Sequence, residues 1–371
     1  ILWRETIDIK YEKLLTVQDR VADEIVKGLA LNLTAAEVDR VKREVPTNLL
    51  AYEYCLRGRE LLLAYNFRLS VDMLEKSVTL DPNYAPAWAY LGRAYNAIAT
   101  QQFGGREYYQ KAQAACEKAL ALNGDQLEAR IFFAQLFTET NRVEEAVPML
   151  REVIKLSPNH ARAHWDLSYA YRYAGMLTES IQEGELALQL DVGIAGRAFN
   201  TYLYDGQYEK FTKSLPLRED PLFIFYRGFG YYHMKDMPRA MAHFERAYQL
   251  DATVSILPKF GKAFLLVLTN QPQEALTLLQ DTEKRMMERG VYDGETVYKL
   301  AQAYAVVGDK TAALRTLTHS IELGFFCYPY FISDVLLEKV HDEPEYARLM
   351  ERARQRHEAF RRKFFNSREA K

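Results

Sequence analysis

The sequence predicts an all-α protein built as a solenoid of antiparallel helix pairs. Three observations carry that prediction. The chain repeats on itself with a period of 34 residues. Its 371 residues hold only 18 Gly and 12 Pro, too few turn formers for a fold of many short strands, against 25 Tyr and 19 Phe. Apolar residues make up 49% and charged ones 26%, the balance of a packed globular chain and not of a disordered or fibrous one.

Taken in order, the N-terminal segment alternates Arg4, Thr6 and Asp8 with Glu5, Ile7 and Ile9 in the manner of a strand. A helical stripe through Leu14, Val17, Val21, Ile25 and Leu29 follows, and Thr34 to Glu37 has the spacing of a capping box opening a second helix. One strand cannot form a sheet. Residues 1–45 therefore read as the remnant of an upstream α/β domain plus linker helices, in a fragment of a longer protein. The missing strand partners are expected upstream or from a second copy of the chain.

With Pro82 at position 32, the first repeat starts at Ala51 and places Tyr54, Gly58, Leu61, Ser70, Leu74 and Ser77 at positions 4, 8, 11, 20, 24 and 27. The second starts at Ala85, carries Trp88, Leu91, Gly92 and Tyr95, and takes eight extra residues around Thr100–Gly105 before Ala112, Cys116 and Ala119 resume the register. Units from Leu127 and Ala161 have the regular length, and others begin at Pro221 and Gly294. A shortened unit is expected between Val192 and Asp220, and a stretched one between Ile256 and Asp293. Small residues at positions 8 and 20 let two helices approach closely, while large ones at 4, 7, 11 and 24 fill the space beside them. Each pair leaves an apolar face that only a neighbouring pair can cover.

Those positions resemble the tetratricopeptide repeat (TPR) signature over residues 46–327, about eight units of which two are degenerate, and the resemblance implies that the helix pairs wind into a right-handed superhelix. The remaining 328–371 read as C-terminal capping helices, with Pro344 at the first turn of the last one and Tyr346, Leu349, Met350, Ala353, His357 and Phe360 along one stripe. From Glu345 to Lys371 there are nine basic and four acidic residues. The favoured reading of that segment is a solvated end cap over the exposed edge of the array, ahead of a nucleic-acid or membrane contact.

A second resemblance covers about residues 2–58 and the Gly324–Pro329 exit. The segments Leu2 to Asp8, Leu15 to Ile25 and Ala51 to Gly58 are similar to the linker of multidomain bacterial signalling proteins, in which an α/β domain passes into TPR repeats. That family commonly attaches a serine/threonine kinase, a winged-helix regulator or a nucleotide cyclase, and the resemblance implies a bacterial signalling context.

The 48 basic and 50 acidic side chains leave a net charge of −2, which gives no global field for a polyanion, so no nucleic-acid partner is expected. Cys55, Cys116 and Cys327 are distant and odd in number, unlike a disulfide framework or a metal pair. The longest apolar run, Ala263–Leu268, is far short of a membrane span, for which roughly 20 residues are needed. The expected location is cytoplasmic, or the extracytoplasmic part of a membrane-anchored parent. No phosphate loop, HExxH, GxSxG or kinase motif is present, so no enzyme activity and no cofactor are expected. His160 and His164 stand at i, i+4 but lack an obvious acidic third ligand, and no metal is expected there.

The TPR resemblance implies that positions 2, 5, 9, 12 and 13 of each first helix face a concave groove. Read residue by residue, they supply Arg59, Arg93, Asn96, Gln135, Arg162, Trp165, Tyr169, Arg172, Tyr173, Asn200, Tyr204 and Tyr232 as candidate partner-binding residues. Rings bring contact area at small entropy cost, arginines fork onto carboxylates, and amides pair with extended backbone. For Phe225, Phe229, Phe260 and Phe264, at equivalent positions, core packing is the favoured reading. Positions 5 and 9 read Cys55/Arg59, Ala89/Arg93, Ile131/Gln135 and Trp165/Tyr169, which lacks the Lys/Asn carboxylate clamp of chaperone-binding relatives. The expectation is a non-catalytic scaffold that binds a peptide segment or partner protein in the groove. The alternative is a self-association module, a homodimer through the N-terminal strand that organises an attached effector.

Overall fold

The computed structural model describes residues 46–102, 104–194, 200–251, 255–291 and 293–365. The expected strand at 5–9, the two helices after it and the dimer contact through that strand lie outside these residues. Among the described residues every regular element is helical.

Eight helix pairs follow one another. They are α1 (Leu49–Leu63) with α2 (Phe67–Leu80), α3 (Ala85–Gln101) with α4 (Arg106–Leu122), α5 (Leu127–Glu139) with α6 (Val143–Leu156), and α7 (Ala161–Tyr173) with α8 (Leu177–Leu190). Then come the short α9 (Asn200–Tyr204) and α10 (Tyr208–Ser214), α11 (Pro221–His233) with α12 (Met237–Leu250), α13 (Leu257–Leu268) with the long α14 (Pro272–Arg289), and α15 (Gly294–Val307) with α16 (Lys310–Glu322). A short α17 (Tyr328–Ser333), a 3₁₀ turn over Val335–Val340 and α18 (Pro344–Phe365) follow them. The described residues form an all-α solenoid of antiparallel pairs.

The repeat positions act as their chemistry dictates. A Cβ on Gly92 would stand 2.6 Å from Cys116 Sγ and 3.1 Å from the Ala112 carbonyl oxygen, so only glycine lets α3 and α4 lie this close. The small hydroxyls serve the same contact. Ser70 donates to the Gly58 carbonyl at 2.7 Å and Ser77 to that of Ala51 at 2.6 Å, while at the far end Ser320 donates to Gly294 at 2.7 Å. Each satisfies itself on the facing helix without adding bulk.

Caps fix where the first helices begin. The Asn48 side chain accepts from the Leu50 and Ala51 amides, Asp220 from Leu222 ahead of Pro221, and Asp293 from Glu295 and Thr296. His160 caps α7 by accepting from the Ala163 amide, and His164 is engaged by Glu183 and the Pro158 carbonyl. Both histidines of the i, i+4 pair therefore have structural partners. Among the described residues no group of three or more His, Cys, Asp and Glu could hold a metal, and no helix is long and apolar enough to cross a membrane.

The chain divides into two compact units. The first comprises residues 46–98 and Tyr108–Phe132: α1, α2, most of α3 and α4, and the first half of α5. The second comprises Ala99–Glu107 and 133–365. The eight-residue insertion thus belongs to the second unit, and Gly105, at φ +72°, abuts the end of α14 so closely that a Cβ would collide with the Arg289 carbonyl. A simple array brings together only neighbouring pairs. The second unit departs from this, because its early helices meet its last ones.

Candidate interaction surface

In the first unit the inner side chains form a ladder of cations and rings. Arg59 of α1 is exposed, and its guanidinium lies 4.5 Å from the centroid of the Tyr90 ring on α3. Tyr90 meets Phe132 of α5 edge-on at 5.2 Å, and the half-buried Arg93 lies 5.1 Å from the Phe132 centroid. Tyr52 extends the ladder towards Tyr84 at 6.5 Å. Burial raises the Tyr90 hydroxyl above its ordinary range, with Glu128 adding to the rise and both arginines opposing it. No carboxylate pairs with Arg59 among the described residues. Asn96, also expected on this surface, is instead 2% exposed.

In the second unit the corresponding residues are occupied. Arg172 is fully buried and donates to Glu295 of α15 at 2.8 Å. The other Glu295 oxygen accepts from Asn200 at 2.7 Å, from Tyr204 at 2.5 Å and from Lys299 at 3.1 Å. Tyr173 donates to Asp293 at 2.6 Å, and the single Tyr169 hydroxyl proton has two acceptors in reach, the Tyr173 hydroxyl at 3.1 Å and Glu139 at 3.3 Å. Burial alone would push the Glu295 carboxyl up, but Arg172, Lys299 and the Tyr204 hydrogen bond outweigh it and hold the acid far below the usual carboxylate range.

In this unit the candidate residues are largely packed against the chain itself. Trp165, Tyr169, Arg172, Tyr173, Asn200 and Tyr204 are all buried, and Asp293 and Glu295 at the start of α15 bond four of them, Arg172, Tyr173, Asn200 and Tyr204. Gln135, Arg162 and Tyr232 keep partial exposure. Arg162 is not an unpaired cation, since it bonds Asp166 at 2.8 Å and Gln135 at 2.9 Å and sits 4.4 Å from the Trp165 ring. Phe225, Phe229, Phe260 and Phe264 are core, none more than 2% exposed. Tyr298 and Gln302 also turn inward, both bonding Asp334.

The sequence reading missed Asp293, Glu295 and Lys299, although a signal for one was present. Glu295 is position 2 of the unit that starts at Gly294, so the rule that placed Arg172 on an inner face also places an acid there. A further open cleft of about 350 Å³ lies beside α14 and α16, where Glu283 is already held by Arg315 at 2.6 Å and by Tyr304 at 2.7 Å.

Residues 107–167 match the family model described as "Tetratricopeptide repeat". Over these residues the chain carries a tetratricopeptide repeat. It is similar to "Putative adenylate cyclase 3" of Rhizobium meliloti (strain 1021), 27% identical over 150 residues, which is 39% of this chain and 26% of that protein. The chain thus spans about a quarter of that relative's length. Among solved structures it is similar to YrrB, titled "a TPR protein with an unusual peptide-binding site", at 16% identity and TM-score 0.29, covering 57% of this chain and 91% of YrrB. It is likewise similar to Pseudomonas aeruginosa pilF at 16% identity and TM-score 0.32, covering 63% of this chain and 91% of pilF.

Proposed function

We propose that this chain is the non-catalytic interaction part of a bacterial signalling protein, and that it binds an acidic, extended segment of a partner protein on the inner face of its first unit. The observation that carries this reading is the ladder Arg59–Tyr90–Phe132–Arg93. Two guanidiniums one repeat apart rest on aromatic faces, and α3 carries no charged side chain other than Arg93 along its whole length. The rings hold the cations in place at low entropy cost, and the forked donors suit carboxylates spaced along an extended strand. The likeness to a protein named as a cyclase supports the signalling context. The occupied interior of the second unit directs attention to the first. An affinity of about micromolar, roughly −8 kcal/mol, is expected.

The test uses two fluorescent decapeptides, one alternating Glu with Leu and Phe, the other with Lys in place of Glu, followed by anisotropy against the full chain. The acidic probe should bind and the basic one should not. Arg59→Ala with Arg93→Ala should weaken acidic binding roughly tenfold, equivalent to about 1.4 kcal/mol shared by two partly exposed charge contacts. Equal binding of both probes, or no change on the double substitution, would overturn the proposal.

A further inference from the structure

In an open array the last helix covers only the pair before it, and stability is a sum over neighbours. Here α18 reaches much further back. Arg356 bonds Glu144 at the start of α6 at 3.3 Å and lies 4.1 Å from the Phe326 centroid. Arg151 of α6 donates to the Phe364 carbonyl at 3.1 Å, and its guanidinium stands 5.3 Å from the Phe365 ring, which itself meets Tyr171 of α7 at 5.3 Å. His357 Nδ1 is 2.8 Å from the Ala174 carbonyl. Beside it, Gly175 at φ +77° is enclosed so tightly that a Cβ would stand 2.8 Å from Pro329 and 2.9 Å from His357. Two further ties lie below: the Phe326 amide donates to the Tyr173 carbonyl at 3.0 Å, and Asn141 donates to the Glu322 carbonyl at 2.8 Å.

We propose that α18 is a strap that locks the second unit into one cooperative body, coupling the C-terminal helix to α6 and α7. The coupling follows from geometry. The strap contacts residues up to 213 positions away, so releasing it uncovers Tyr171 and the Ala174–Gly175 turn as directly as it uncovers α17. A protein that engages α18 is thereby felt on α7, which carries Arg162. This inference concerns the second unit alone and stands whether or not the first unit binds an acidic peptide.

Hydrogen exchange read by mass spectrometry tests it on the full chain, on a chain ending at Glu343 and on Arg151→Ala with Arg356→Ala. Both altered chains should exchange faster in peptides spanning 141–176 as well as in those spanning 310–340, by roughly tenfold or more in protected amides. The double substitution keeps α18 in the chain while removing two of its ties to α6, and so reads the coupling even if the truncated chain does not fold. Faster exchange confined to residues 310–343, with 141–176 unchanged in the double variant, would overturn the strap.

Discussion

Arg172→Ala would leave the Glu295 carboxylate buried with Lys299 as its remaining counter-charge, together with the Asn200 and Tyr204 donors that converge on it. Removing one partner of a buried ion pair costs about 3–5 kcal/mol, because the other charge stays desolvated. Urea unfolding should show a loss of that size for Arg172→Ala, and Arg172→Lys, which keeps the charge but not the fork, should fall between it and the native chain. His233 gives a second prediction at this scale. Tyr208 and Phe229 pack on its ring at 4.9 Å each, and burial pushes the imidazole from its ordinary 6.5 down to about 4. The unfolded chain takes up this proton near pH 6.5 while the folded chain resists it until about pH 4. Stability from this group is therefore complete above the unfolded value and is lost as pH falls between the two, by about 3 kcal/mol. His164 acts in the opposite sense, because its bond to Glu183 raises its pKa and its contribution fades as pH rises. Comparing His233→Phe with the native chain by thermal melts at pH 7 and pH 4 isolates the first effect. The variant should lose less stability on acidification, and an equal loss would contradict the assignment.

At the scale of the element, the repeat register made most of the helix pairs legible, because the constraint is local and periodic. Gly58 against Leu74, Gly92 against Cys116 and Gly228 against Phe244 are contacts within one pair, at fixed spacing, and residue size alone identifies them. Gly92→Ala should cost about 1–3 kcal/mol in a denaturant titration, because the obstruction includes the Ala112 backbone carbonyl, which cannot rotate away as a side-chain tip can. The short pair α9 and α10, of five and seven residues, sits where the signature thins. The role of α15 was less legible. Its Leu300, Ala301 and Tyr304 read as an ordinary first helix, yet every residue from Gly294 to Val306 is buried, because its groove-facing side is covered by α7, α9 and the 3₁₀ turn as well as by its own pair. Periodicity reports which face of a helix is apolar. It does not report that the polar face will also be enclosed.

At the scale of the whole molecule, the closure of the second unit was hidden in the sequence for a physical reason. Ties such as Arg172 to Glu295 or Arg151 to Phe364 join residues 123 and 213 positions apart, and no repeat spacing encodes a contact made once. Charge complementarity was the available clue, with arginine at an inner position early in the unit and Asp293 and Glu295 late in it. For the candidate site the register assigned inner positions, but which of them remain accessible depends on what the chain does with its own groove, and no repeat spacing encodes that. The first unit keeps Arg59 exposed beside Tyr90, whereas the second spends its arginine and tyrosines on itself.

The central claim, that the second unit fills its own groove while the first keeps its inner face accessible, is tested most directly by hydroxyl-radical footprinting of the native chain with residue-level mass spectrometry. Tyr169, Tyr173, Tyr204 and Tyr298 should remain unmodified until the protein is unfolded, while Tyr52 and Tyr90 should react in the folded state. Rapid native-state modification of Tyr173 and Tyr204, at rates matching Tyr52, would contradict it.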